Sequence, residues 1–175
     1  MRLAAAAYLV CQCAHAEGGW IDRIDQVLDA GTPDLYLSGY IHHGRGTYTR
    51  ERIAQFNEAH AWGVGYGKSL HMPDGPDESL YAMGISDSHY QPQLMAGYAW
   101  QWTRPLGRKF EGSVGWTAQL VSRQDYFGGF PFPLALPLAA IGTRGSKLMV
   151  TYVPRLSKNK GSGDVLFFFV HLRLD

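Results

Sequence analysis

Two short polar runs stand out in this chain of 175 residues: His42-His43-Gly44-Arg45 and Asp87-Ser88-His89. A histidine takes and returns protons near neutral pH, and a serine hydroxyl can act as a nucleophile or donate to an oxyanion. With an aspartate beside them, these are the residue types of a hydrolase triad. Asp87 and Ser88 are adjacent, however, and on a regular strand they face opposite ways, so the types alone do not make a relay. The remaining histidines beyond the first 16 residues (His60, His71, His89 and His171) are dispersed without metal-ligand spacing.

The elements that must hold these residues are strands. From Phe110 to Leu120, Phe110, Gly112, Val114, Trp116, Ala118 and Leu120 alternate with Glu111, Ser113, Gly115, Thr117 and Gln119. Successive side chains of a strand point to opposite faces, so one face is apolar and the other polar or small. Gln93–Trp102 and Leu166–Leu174 repeat the pattern. Eight stretches qualify: Leu35–Tyr48, Ala61–Ser69, Ser79–Ser88, Gln93–Trp102, Phe110–Ser122, Phe132–Ile141, Lys147–Val153 and Asp164–Leu174. Gly- and Pro-rich clusters separate several of them. Aromatic-rich alternating strands of this length predict an all-β fold, an eight-stranded antiparallel transmembrane β-barrel. Eight strands leave room inside for side chains or one slim ligand, not for a porin-sized channel.

The start reads as a secretory leader: Arg2, an apolar Leu3–Ala14, and an Ala14-His15-Ala16 cleavage site. That makes 1–16 a signal peptide, with the mature chain starting at Glu17. Both cysteines, Cys11 and Cys13, then fall in the leader, so the mature chain is expected to hold neither disulfide nor thiolate metal site. Removing Arg2 leaves basic and acidic residues equal at 15 each, which gives no basic surplus for nucleic acid. Within 17–31, Trp20, Ile21, Ile24, Val27 and Leu28 recur at helical spacing until Gly31 and Pro33. This amphipathic helix can lie on the membrane interface or on the barrel. The barrel proper then occupies 32–175.

The inward face carries unusual residues. Gly63, Gly65 and Gly67 alternate with Trp62, Val64 and Tyr66, and Gly97, Ala99 and Gly115 add further small inward positions. Met95, Met149, Val153, Phe167 and Phe169 share that face. Either the small residues leave a narrow apolar slot that suits a hydrocarbon chain, or they pack tightly around bulky neighbours. Pro131, Pro133 and Pro137 interrupt one strand and Pro154 ends the next. Prolines lack a ladder donor, so a break between these strands could admit a lipid tail from the side.

With these residues in view, the chain resembles the lipid A palmitoyltransferase family. The resemblance is carried by Asp34-Leu35-Tyr36-Leu37, His43-Gly44-Arg45, Phe56-Asn57-Glu58, Trp62 to Gly67, Leu80-Tyr81-Ala82-Met83, Asp87-Ser88, Ala96-Gly97-Tyr98, Arg104-Pro105-Leu106, Pro131 to Gly142 and Thr151-Tyr152-Val153-Pro154. It implies a Gram-negative outer-membrane acyltransferase that moves a palmitoyl or similar chain from the sn-1 position of a glycerophospholipid to the hydroxyl of a hydroxyacyl chain of lipid A. It implies that His43, Asp87 and Ser88 are the catalytic residues, at the extracellular rim. It implies lateral access at Pro137 and Pro154, an active-face position for Arg123 and the base of the acyl slot at Ala99; Met95, Gly97 and Met149, inward by alternation, are the further expected substrate contacts. A monomer without cofactor or metal is expected.

Three departures from the family pattern matter. The run Gly97-Tyr98-Ala99-Trp100 has alanine where the family has glycine at the slot's base, which is expected to shorten the chain measured. Leu174-Asp175 replaces a terminal aromatic, which is expected to weaken recognition by barrel-assembly machinery. His42 stands where an aromatic is common. The rival readings are a non-catalytic lipid-binding or structural barrel, which needs no particular residue at His43 or Ser88, and a phospholipase, in which water replaces the acceptor.

Overall fold

The computed structural model describes residues 19–56, 58, 60–72, 75–125, 127–155 and 163–174. The expected leader, its cleavage site, Cys11 and Cys13 lie outside the described residues, as does Asp175.

Helix α1 spans Trp20–Ala30. Asp22 accepts from the backbone N–H of Gly19 at 2.8 Å, which closes the first turn, and the Gly31 N–H donates to the Val27 carbonyl at 3.0 Å. Val27 is fully buried against the barrel, whereas Ile21 and Leu28 stay exposed. Trp20 packs edge-on against Tyr98 at 5.6 Å and near Trp116 at 5.9 Å. Arg23 reaches down to Glu78, a carboxylate on the outer wall that the helix covers.

Eight strands follow: β1 Thr32–His43, β2 Gly63–His71, β3 Asp77–Ser86, β4 Pro92–Pro105, β5 Glu111–Arg123, β6 Phe132–Gly142, β7 Ser146–Val153 and β8 Val165–Arg173. Each pairs with its neighbours in sequence, antiparallel, and β1 closes on β8. Closure leaves no sheet edge, which is what a barrel in lipid requires. The alternation holds: Val64, Tyr66, Leu94, Val114 and Leu120 are exposed outward, while Met83, Met95, Ala99, Val121 and Met149 are buried inward. An outward face rich in exposed apolar residues is what the barrels that sit in lipid present. No described helix is long and apolar enough to cross a membrane.

Two strand ends that bear on the polar runs differ from expectation. The first strand stops at His43, and 44–48 turn into a loop that carries the short helix α2, Arg50–Ile53. The third strand stops at Ser86, so Asp87 and Ser88 lie in a turn. Hydrogen bonding accompanies both: the Gly44 N–H donates to the Asp164 carbonyl at 2.9 Å and the Thr47 N–H to the Gly44 carbonyl, and after β3 the Asp87 N–H donates to the Gln91 carbonyl at 2.8 Å and the Tyr90 N–H to the Asp87 carbonyl.

The inward glycines of β2 do not hollow the barrel. A Cβ on Gly65 would lie 2.2 Å from Met83 Cγ, and one on Gly67 would lie 3.0 Å from Tyr36 Cε2. Their missing side chains are filled by Met83, Ile85 and Tyr36, so tight packing is the correct reading here. The slot exists nonetheless. A cavity of about 130 Å³ runs down the half of the barrel beneath His43, lined chiefly by the inward residues of β3 to β8, with Tyr36 and Ile41 from β1. The other half is polar, crossed by a network of Asp77, Lys147, Glu111 and Ser113.

Candidate active site

His43 is the last residue of β1, and its inward aim depends on a bulge. Below it, the even-numbered Asp34 and Tyr36 are buried inside, yet Ile41 and His43 are the buried residues above. The pairing with β8 shifts register between Ser38 and Tyr40, so one extra residue, Gly39, inverts the alternation. His43 therefore points in and His42 points out, where it stacks near Tyr40.

The loop after β1 folds back to hold the imidazole. Glu58 Oε1 accepts from the His43 backbone N–H at 2.8 Å and lies 3.1 Å from its ring Nδ1. Arg45 donates to the other oxygen, Oε2, at 2.8 Å. A carboxylate only accepts, so the proton belongs on Nδ1 and the Nε2 lone pair is the one free to act as base. Burial pushes the Glu58 carboxyl up, but the His43 N–H, Arg45 and the ring outweigh it and hold it below the usual carboxylate range. Phe56 stacks on the imidazole at 4.2 Å and Tyr48 meets its edge at 5.2 Å. The ring is thus held on one face by Phe56 and at an edge by Tyr48, and it is oriented by an acid.

Asp87 and Ser88 are buried at the same rim. Asp87 Oδ1 accepts the backbone N–H groups of His89 and Gln91, each at 2.8 Å, so this carboxylate builds the turn that carries Ser88. Its Oδ2 faces Arg123 at 3.4 Å, and Arg123 also binds Asp125 at 2.8 Å. Asp87, His89 and Asp125 are close enough together to ligate a cation, but the Arg123 guanidinium already supplies the positive charge between the two carboxylates. Phe56 joins the two halves of the rim, touching His43 on one side and His89 at 5.3 Å on the other. Among the described hydrogen bonds none links His43 to Asp87 or Ser88; the acid on His43 is Glu58. In the sequence Glu58 belongs to a family motif that gives it no role, since its place beside His43 comes from the path of the loop after β1.

The other expected residues divide. Met95, Ala99, Met149 and Arg123 line the cavity, Arg123 at its mouth and Ala99 at its lower end. Gly97 faces inward between Met95 and Ala99 but does not line it; a Cβ there would lie 2.6 Å from the Gln119 side chain. Pro137 faces outward, and Pro154 follows the end of β7. Both flank an interruption in the wall. The β6–β7 ladder starts at Gly142↔Lys147 and ends at Leu138↔Thr151, while β6 stays paired to β5 as far as Phe132. The Pro137 carbonyl accepts from Thr151 Oγ1 at 2.8 Å. That carbonyl faces β7, so the N–H that proline lacks is a donor missing from this ladder.

A buried histidine held by an acid and a buried serine, at one end of a closed barrel with an apolar slot and a gap in its ladder, are parts that an acyl-transferring barrel enzyme needs. The family model for PagP, described as antimicrobial peptide resistance and lipid A acylation protein, matches residues 23–171, and the chain belongs to this family. Relatives named lipid A acyltransferase PagP include one from Bordetella bronchiseptica, 41% identical over 92% of this chain and 90% of that protein. Those from Methylobacillus flagellatus and Legionella pneumophila are 36% and 38% identical, covering 94% and 87% of this chain and 88% and 79% of theirs.

Proposed function

We propose that this protein is an outer-membrane lipid A acyltransferase whose donor is a glycerophospholipid, with the sn-1 acyl chain seated in the slot and the chemistry performed at the extracellular rim. The observation that carries the reading is the stacking of parts along one axis: His43 and Glu58 at the rim, an apolar cavity beneath, and a wall gap at Pro137 beside both.

In this reading the donor chain enters between β6 and β7 and its ester carbonyl stops at the rim. His43 Nε2 takes the proton of the acceptor hydroxyl as that oxygen attacks the carbonyl carbon. Ser88 stands to donate to the oxyanion, or to attack first as nucleophile. The tetrahedral adduct collapses by breaking the bond to the glycerol oxygen, and His43 returns the proton to that oxygen. The products are acylated lipid A and a lysophospholipid. Glu58 holds the ring tautomer throughout, and Arg123 holds Asp87 in the turn that presents Ser88.

The test is mass spectrometry of lipid A from cells with and without the gene, paired with the purified protein acting on defined phospholipids. Gain of one acyl chain on lipid A, with lysophospholipid formed in equal amount, is the expected result. Release of free fatty acid with no change in lipid A would instead make it a phospholipase.

A further inference from the structure

Below Ala99 the barrel changes character within one strand step. Ala99 pairs with Ser79 on β3 and Thr117 on β5; two residues on, Gln101 pairs with Asp77 and Gly115. A second cavity, of about 40 Å³, begins where the first ends, and Tyr36, Ser79 and Met149 border both. Its walls include Gln101, Asp77, Glu111 and Lys147. Gln101 is buried, and its Nε2 has no hydrogen-bond partner among the described residues. A buried amide donor beside a polar chamber with room for roughly two or three waters is a site that holds water rather than hydrocarbon.

We propose that Gln101, through the polar chamber it borders, sets the upper limit of acyl-chain length by refusing hydrocarbon rather than by blocking it. This rests on the acyltransferase reading. A methylene pushed past Ala99 gains no apolar burial, and it strips amide and charged groups of their partners. A steric floor and a polar floor differ in one respect. The first rejects any longer chain; the second rejects a longer chain that ends in methyl and accepts one that ends in hydroxyl.

The experiment uses the full-length protein and phospholipid donors of defined sn-1 chain. The longest efficiently transferred saturated chain is found first. Two donors longer by two chain atoms are then compared, one ending in methyl and one in hydroxyl. Wild type should transfer the hydroxyl-ended chain at least about tenfold faster, the worth of roughly two methylenes. Gln101→Met should reverse that order and raise transfer of the longer methyl-ended chain by about the same factor. Equal rejection of both longer donors by wild type overturns the proposal, and that comparison needs no variant to fold. A length profile identical in wild type and a folded Gln101→Met also overturns it. If the acceptor proves to be water, the same comparison runs on released fatty acid, so failure of the acyltransferase reading and failure of the polar floor are separate results.

Discussion

Glu58 binds His43 twice: one oxygen accepts the backbone N–H at 2.8 Å and sits 3.1 Å from ring Nδ1. A single loop residue thus ties down both the strand end and the tautomer of its last side chain. Glu58→Gln should keep the backbone contact while losing the charge that favours Nδ1–H. We expect kcat to fall on the order of 10²-fold, the cost of a mispositioned base, with KM for the donor little changed. Because the Glu58 carboxyl is held below its ordinary value, its charge is present at neutral pH and is lost only on acidification beneath the usual carboxylate range. Activity lost on acidification above about pH 5 therefore belongs to the imidazole. In Glu58→Gln that acid limb should move to lower pH, since a carboxylate neighbour favours the protonated ring. An unmoved limb with normal kcat would remove Glu58 from the mechanism.

His43→Ala and Ser88→Ala should each lower transfer by a factor of about 10² or more while the barrel remains folded. Folding is checked by circular dichroism and resistance to denaturation in detergent. Near-normal lipid A acylation by a folded His43→Ala protein would sink the catalytic assignment.

The gap between β6 and β7 predicts a reversible block. Ala135 and Pro154 would face each other if the ladder continued past Leu138↔Thr151. Cysteines at these two positions, oxidised to a disulfide, should slow transfer several-fold, and reduction should restore it. Full activity in a completely cross-linked protein would rule out entry between these strands.

Ala99, 2% exposed, lies at the lower end of the slot. In a close-packed pocket an added methylene costs roughly 1–3 kcal/mol. Ala99→Met should shorten the preferred chain markedly while transfer stays dependent on His43. Ala99→Gly should lengthen it, but only by about one carbon, because the polar chamber follows at once. A preference unchanged across Gly, Ala and Met would show that the donor chain does not reach Ala99.

Arg23 on α1 neutralises Glu78, which is 2% exposed on the outer wall. Removing one partner of a buried pair leaves a stranded charge and costs roughly 3–5 kcal/mol. Arg23→Met should therefore lower the denaturant midpoint clearly. The double replacement Arg23→Met with Glu78→Met should recover most of the loss. Equal destabilisation by the single and double variants would mean that the pair does not hold the helix.

Much of this molecule was legible in the sequence, because a strand's period of two is local. Trp62 to Gly67 or Phe110 to Leu120 alternate wherever they sit, and eight such stretches leave few folds besides a closed barrel. The family motifs likewise named His43 and Ser88 without any geometry. What alternation could not give is which histidine enters the barrel. Counted from Tyr36, it places His42 inside; the bulge at Gly39, formed against β8 more than a hundred residues away, inverts the order. Glu58 was out of reach for the same reason: its partner is fixed by the path of a loop that has no period to read. The β2 glycines were ambiguous until Met83 and Tyr36 were seen to fill them. Composition and periodicity are properties of one segment, and they determined the strands and their faces. Register, bulges and loop closure are agreements between distant segments, and only the tertiary structure decided those.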